Sequence, residues 1–123
     1  MAQLQRLASV LSSFAAVAVE PRLGAAYLGN FNIVATRWQA RIRPGQLSLQ
    51  FATGPLVLHA TGPRMEAGWA VWRALDGTLS LALRRGRCSD GVSDRDYAYQ
   101  AEVRFAGGRA EHGCAYRVGL TPR

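Results

Sequence analysis

Residues 97–118 read YAYQAEVRFAGGRAEHGCAYRV, and this stretch indicates the fold. Every second residue from Tyr97 to Phe105 is apolar, and most of the residues between them are polar. The same alternation returns from Ala110 to Val118, with His112 among the positions of the apolar face. An apolar period of two is typical of a β-strand with one buried face. The Gly107-Gly108 pair between the two runs therefore predicts a two-residue hairpin turn.

This turn also predicts which residues of the two strands face each other. It places Arg104 opposite Glu111 on the outer face, where opposite charges stabilise the pair. The inner pairs are predicted to be Phe105 with Ala110, Val103 with His112 and Ala101 with Cys114. We therefore expect His112 to lie inside, as a hydrogen-bonded core residue rather than a catalytic one.

The preceding segments show the same period from about residue 31 onward. Pro44-Gly45 separates two alternating runs and predicts a hairpin. Thr53-Gly54-Pro55 and Thr61-Gly62-Pro63 are predicted to be turns, with a short strand from Leu56 to Ala60 between them. No helical period is visible after residue 30.

A longer strand is predicted at about Glu66 to Leu75, followed by a tight turn at Asp76-Gly77. A two-residue turn there sets Trp72 opposite Leu81 on one face of the ribbon. Seven or eight antiparallel strands with one apolar face would leave that face and two edges bare as a flat sheet. The sequence therefore predicts an all-β fold, a small antiparallel up-and-down barrel, with a β-sandwich as the alternative. The predicted domain covers residues 27–118, and residues 119–123 form a tail.

The composition is that of one globular domain with a basic surface. The chain has 123 residues, 49% of them hydrophobic and 19% charged, which excludes a disordered protein. Fifteen basic residues, all arginine, outnumber eight acidic ones and give a net charge of +7. The tightest cluster is Arg84, Arg85 and Arg87, which we interpret either as a solvated face or as a contact for an anionic partner such as an acidic cell-wall polymer.

Residues 1–18 fit a secretory signal. They combine an early Arg6, an apolar run from Leu7 to Val19 broken only by serines, and small residues at Ala16 and Ala18. An amphipathic helix is the alternative reading, and the run is too short for a permanent transmembrane span. The signal predicts a periplasmic or secreted protein.

The chain has two cysteines, Cys88 and Cys114. An even count together with an export signal favours a disulfide, and two buried free thiols are the alternative. The spacing does not suit zinc, because there is no Cys-x-x-Cys pair and His59 and His112 offer no ligand pattern. We expect no metal and no cofactor.

A Ser/Asp-rich segment connects the first cysteine to the last hairpin. Ser and Asp side chains there are expected to bond backbone amides two or three residues ahead, Gly91 to supply a positive φ, and Arg95 to pair with Asp90 or Asp94. An EF-type calcium loop counted from Asp90 fails, because Arg95 stands where glycine is needed. The alternative role is contact with a partner. The residues concerned are Ser89, Asp90, Gly91, Ser93, Asp94, Arg95 and Tyr97.

This segment resembles an uncharacterised family of small bacterial envelope proteins. The pattern Cys-Ser-Asp-Gly-x-Ser-Asp spans Cys88 to Asp94, is followed by the aromatic Tyr97, and ends in Gly113-Cys114-Ala115. The resemblance extends more weakly over residues 27–116. It implies an envelope location and a disulfide, with a distant likeness to barrels of the lysozyme-inhibitor type.

The sequence thus predicts a non-enzymatic envelope domain that binds a small ligand at the barrel mouth or a protein partner. Catalysis would need Ser, His and Asp held together, and no nucleophile-elbow or phosphate-loop motif is present. One alternative is a nucleic-acid-binding barrel, with Arg37, Arg41 and Arg43 on phosphates, although export makes such a partner unexpected. The other alternative is a lysozyme inhibitor, which the net positive charge disfavours.

Overall fold

The computed structural model describes residues 24–91 and 94–119. Within them, eight antiparallel strands form one closed barrel in which each strand pairs with the next and the last pairs with the first. This confirms the predicted all-β barrel and excludes the β-sandwich. The strands are β1 Phe31–Val34, β2 Trp38–Arg43, β3 Gln46–Phe51, β4 Gly54–Glu66, β5 Trp69–Ala74, β6 Leu79–Ser89, β7 Asp96–Phe105 and β8 Ala110–Arg117. The predicted signal at residues 1–18 lies outside the described residues.

The barrel interior is filled with apolar side chains. Phe31 is fully buried, and its ring lies 5.1 Å from that of Tyr99 and 6.2 Å from that of Trp72. Around these rings, Ile42, Leu47, Leu81, Leu83 and Val103 are each 0% exposed. An eight-stranded barrel is narrow enough for such side chains to meet across its axis, so the interior is a packed core.

One end of the barrel is covered by residues 24–30, and we call it the Tyr27 end. The Tyr27 ring packs 5.9 Å from Tyr99, and its hydroxyl oxygen accepts a hydrogen bond from the Arg85 amide at 3.0 Å. The Arg117 guanidinium donates to the carbonyl oxygens of Ala26 and Leu28 and stacks 4.6 Å above the Phe31 ring. These contacts hold the N-terminal segment against the core.

The opposite end is covered by aromatic side chains at strand ends, and we call it the Trp38 end. Trp38 begins β2 and is 4% exposed, and it faces Phe51, the last residue of β3. The Phe51 ring lies 5.8 Å from that of Phe105, which ends β7. Large side chains therefore close both mouths of the barrel.

The predicted register of the last hairpin is wrong by one residue. The Phe105 amide donates to the Arg109 carbonyl, so the loop has three residues, 106–108, and Gly108 adopts a φ of +94°. A three-residue loop of this kind ends with a left-handed glycine, and the added residue shifts the return strand.

The shift moves every side chain of β8 to the face opposite the predicted one. Ala101 faces Gly113 instead of Cys114, Val103 faces Glu111 instead of His112, and Arg104 faces Ala110 instead of Glu111. His112, predicted inside, therefore lies on the outer face with an exposed side chain. Its expected role as a core residue is wrong.

The predicted turn at Thr61-Gly62-Pro63 is also wrong. β4 continues to Glu66 through a register shift between Thr61 and Arg64, and the chain turns at Ala67-Gly68. A β-bulge accepts both the positive φ of Gly62, +133°, and the missing N–H of a proline, so residues typical of turns can sit inside a strand.

Three other turns can be compared with their predictions. The Pro44-Gly45 hairpin and the pairing of Trp72 with Leu81 across Asp76-Gly77 are confirmed. The turn after β3 is Ala52-Thr53, one residue earlier than predicted, because Phe51 pairs with Gly54.

We expect Gly113→Ala to lower the free energy of unfolding by about 1–3 kcal/mol, because an added methyl group meets backbone that cannot withdraw. A Cβ at Gly113 would lie 2.7 Å from the Val34 carbonyl oxygen and 3.0 Å from the Ala35 Cβ. Urea unfolding followed by tryptophan fluorescence measures the change.

The matched control is Gly107→Ala in the turn of the same hairpin, where a Cβ meets nothing within 4 Å. We expect this variant to be close to the wild type in stability. Equal stability of the two variants would contradict the observed position of Gly113 inside the barrel.

Candidate functional site

Cys88 and Cys114 form a disulfide that joins β6 to β8 near the Tyr27 end. Their Cα atoms are 5.6 Å apart, and the described residues contain no free cysteine. Cys114 is paired with Gln100 of β7, and the Cys114 residue is 2% exposed. The bond is thus placed beside the loop that connects β6 to β7.

The Ser/Asp-rich loop bonds partly to itself. The Ser89 hydroxyl oxygen accepts a hydrogen bond from the Gly91 amide at 3.3 Å, and Gly91 has a φ of +74°. Tyr97, at the end of the loop, is half-buried with its ring 6.1 Å from that of Tyr116. Ser93 lies outside the described residues, and the pairing of Arg95 with Asp90 or Asp94 remains a prediction.

The clearest ion pair of the loop region joins Arg87 to Asp96. The Asp96 carboxylate accepts hydrogen bonds from Arg87 Nε at 2.9 Å and Nη2 at 2.5 Å, and this carboxylate raises the pKa of the Arg87 guanidinium. The loop is therefore fastened to β6 by an aspartate two positions beyond Asp94.

The arginine cluster does not form one anion site. A register shift in β6 between Arg85 and Cys88 turns neighbouring arginines in different directions. Arg84 stacks 4.5 Å over the Trp69 ring and donates to Gln100 Oε1 at 2.7 Å, whereas Arg87 turns to Asp96. Arg85 lies 6.0 Å from the Tyr99 ring centroid. Each guanidinium is engaged by a different neighbour within the protein.

The three arginines suggested for phosphate contacts also differ in exposure and in their contacts. Arg43 is half-buried and donates to the carbonyl oxygens of Phe31 and Ile42 and to Asn32 Oδ1, at 2.9–3.1 Å. Arg41 is exposed on the outer face of β2, and Arg37 is exposed in the loop before it. Only two of the three can meet a ligand directly.

Ser89 and His112, the serine and histidine considered for catalysis, have different neighbours. His112 is paired with Glu102, which in turn pairs with Ala82 on β6. Ser89 lies seven residues further along β6, where its hydroxyl oxygen accepts a hydrogen bond from the Gly91 amide. The His112 Nδ1 atom instead lies 3.8 Å from the Glu102 carboxylate.

A depression on the outer wall is a feature that the sequence reasoning missed. It has a volume of about 450 Å³ and crosses β8, β1, β2, β3 and β4. Its floor includes Ile33, Ala40 and Leu49, whose side chains point inward, so the floor there is backbone. We call it the outer groove, and its walls are the outward side chains of Asn32, Val34, Gln39, Arg41, Ser48, Gln50, Pro55, Val57 and Tyr116.

One signal in the sequence could have pointed to this surface. No Asp or Glu occurs from Pro21 to Met65, whereas seven of the eight acidic residues lie between Glu66 and Glu111. Arginines on the later strands pair with these acids, as Arg73 does with Glu66, whose pKa it lowers, and Arg104 with Glu102 at 2.9 Å. The barrel therefore has one wall without carboxylates.

In residues 24–91 and 94–119, no three His, Cys, Asp or Glu side chains are grouped so that they could hold a metal ion. No helix in that part of the chain is long and apolar enough to cross a membrane. No protein-family model, curated protein or solved structure matches the chain.

Proposed function

We propose that this protein is a non-enzymatic binding domain of the bacterial envelope, exported to the periplasm or beyond, which binds its partner on the outside of the barrel. The disulfide between Cys88 and Cys114 supports export, because such bonds persist in oxidising compartments and are rare in the cytosol. The resemblance of residues 88–94 and 113–115 to envelope proteins also supports export.

The observation that carries the binding mode is the filled interior. Phe31 and Trp72 are buried inside the barrel with their rings in contact, and Tyr27 and Trp38 cover its two ends. A ligand of useful size could enter only by displacing several aromatic side chains, each of which stabilises the core by packing. A partner therefore meets the outer surface, and binding of a small ligand at the barrel mouth is disfavoured.

A non-catalytic role is supported by the contacts that the reactive side chains make. A nucleophile and its base act within hydrogen-bond reach of each other. The Ser89 hydroxyl oxygen instead accepts a hydrogen bond from the Gly91 amide, and the His112 Nδ1 atom lies beside the Glu102 carboxylate. Cys88 and Cys114 are bonded to each other in the disulfide.

Inhibition of lysozyme remains a second proposal, based on the exposed loop from Asp94 to Asp96. The net charge of +7 disfavours it, because lysozymes are generally basic and like charges slow association. If excess protein leaves the rate of a lysozyme lysis assay unchanged, this proposal is wrong.

The mass of the protein purified from its native host tests the proposed function. We expect loss of residues 1–18 and absence of the two thiol hydrogens of Cys88 and Cys114. Alkylation before and after reduction provides the control, since both thiols should react only after reduction. A chain that begins at Met1 with two reactive thiols would contradict export and, with it, the envelope role.

A further inference from the structure

The outer groove is built from two straight rows of side chains. In the first row, directly paired residues bring together Tyr116, Asn32, Arg41, Ser48 and Val57 across five strands. In the second row, Val34, Gln39, Gln50 and Pro55 are paired in the same way. Five neighbouring strands span about 19 Å at a spacing of 4.8 Å. The groove is therefore long enough to hold an extended ligand.

Two hydrogen bonds hold side chains at one end of the first row in place. Half-buried Arg43 donates to Asn32 Oδ1 at 3.1 Å, and Asn32 Nδ2 donates to the Tyr116 hydroxyl at 3.1 Å. Because one guanidinium orients the amide and the amide orients the phenol, Tyr116 has a defined position before any ligand arrives. Preorganisation of this kind lowers the entropy cost of binding.

The side chains of the groove are suited to a ligand with many hydroxyl groups. Gln39 and Gln50 face each other, and each amide offers two donors and one acceptor oxygen. The Gln50 amide makes one bond, to the Phe51 carbonyl at 3.2 Å, which leaves it able to form others. Tyr116 and Val57, which is 58% exposed, add apolar surface at the two ends of the first row.

The charge of the groove favours an acidic ligand. Arg41 stands at the middle of the first row, and none of the strands β1 to β3 contains an acidic residue. A guanidinium can bind a carboxylate through two parallel hydrogen bonds. The groove thus combines one cation with several amide and hydroxyl groups.

This combination of one cation with many hydrogen-bonding groups favours one of three classes of acidic ligand over the other two. An acidic peptide commonly adds as a strand at a sheet edge, and the closed barrel has no edge at these strands. Single-stranded nucleic acid needs several cations along its phosphates, and Arg41 is the one arginine among the residues that line this groove. An acidic oligosaccharide needs few cations and many hydrogen-bonding groups, as the two rows provide.

We propose that the outer groove binds an acidic oligosaccharide, with a sugar carboxylate on Arg41 and sugar hydroxyls on Gln39 and Gln50. This proposal rests on the proposed function and names its ligand class. The Tyr116 ring packs against the C–H face of a sugar at one end of the groove. Arg43 is a positioning residue, since it acts through Asn32.

Isothermal titration of the full-length oxidised protein with trigalacturonate tests the proposal. We expect Arg41→Gln to weaken binding by about tenfold or more, because a charge-assisted pair is lost. The trimethyl ester of the same trisaccharide, which keeps every hydroxyl and loses the charges, should bind the wild type more weakly by a similar factor. Arg84→Gln, on the opposite wall, is the matched control and should bind like the wild type.

Chemical shifts of the side-chain amides provide a second readout that does not need a variant. The ¹⁵N-bound protons of Gln39 and Gln50 should shift as trigalacturonate is added, whereas those of Gln100 should not. Gln100 is the internal control because it lies on β7 and bonds to Arg84.

Four outcomes would overturn the proposal: no binding of trigalacturonate at millimolar concentration, binding unaffected by Arg41→Gln, an equal loss in Arg84→Gln, or tighter binding of an oligothymidylate. The last result would assign the groove to nucleic acid. None of these results depends on the mass measurement, so an exported and oxidised protein that fails here retains its envelope role and loses only this ligand.

Discussion

Phe31→Ala is expected to lower the free energy of unfolding by about 3–5 kcal/mol, the usual cost of removing a fully buried aromatic ring. The Phe31 side chain is 0% exposed and makes edge-to-face contacts with Trp72 and Tyr99. It also supports the Arg117 guanidinium, which holds residues 24–30 over the barrel end. The ring therefore connects the core to the segment that closes it.

Chemical denaturation monitored by near-ultraviolet circular dichroism measures this loss, because the aromatic cluster around Phe31 becomes asymmetric only when packed. Leu75→Ala is the control, since Leu75 is a large apolar residue that is 68% exposed. We expect the control to change stability little. A Phe31 variant as stable as the Leu75 variant would show that the interior is not packed around this ring.

The second large effect is expected from the disulfide. Replacing both Cys88 and Cys114 with alanine should lower stability by about 3.5 kcal/mol on the chain-entropy model, for two cysteines 26 positions apart. The loss arises mainly in the unfolded chain, which becomes free to open a large loop. A small barrel has limited core area, so this is a substantial part of its stability.

Urea unfolding of the wild type with and without reductant, beside the double variant, measures the effect. Reductant should bring the wild type close to the double variant and leave the double variant unchanged. Equal unfolding midpoints for the oxidised and reduced wild type would mean that the bond contributes nothing to the stability of the barrel.

Some of the architecture could be read from single residues and their neighbours. The alternation from Tyr97 to Phe105 correctly places Tyr99, Ala101 and Val103 inside, because successive side chains on a strand point to opposite faces. The register predicted from Asp76-Gly77 is also correct, because Trp72 pairs with Leu81, although four residues, 75–78, connect the two strands. Local geometry alone decides such features.

The predictions were wrong at positions where one local sequence is compatible with two backbone geometries. Gly107-Gly108 suits a two-residue turn as well as a three-residue loop that ends in a left-handed glycine, and the difference moves His112 from the core to the surface. Gly62 and Pro63 suit a turn as well as a bulge inside β4. Pairing with the neighbouring strand selects between the two geometries.

The candidate site also combines features that are local in the sequence with features that only the folded chain brings together. The cysteine pair and the Ser/Asp-rich loop are local patterns and were visible at once, whereas Arg84, Arg85 and Arg87, adjacent in sequence, turn to different neighbours in space. The outer groove was not visible, because Tyr116 and Asn32 are 84 positions apart.

By itself, the amino-acid sequence determined that the chain forms ribbons with one apolar face and that two cysteines lie beside a self-bonded loop, since both follow from the periods and turn preferences of neighbouring residues. The tertiary structure alone decided the register of β8, the filling of the interior and the two rows of the outer groove. The physical reason is that these features depend on how strands pair in space, and closing the barrel pairs the first strand with the last, which brings Tyr116 beside Asn32.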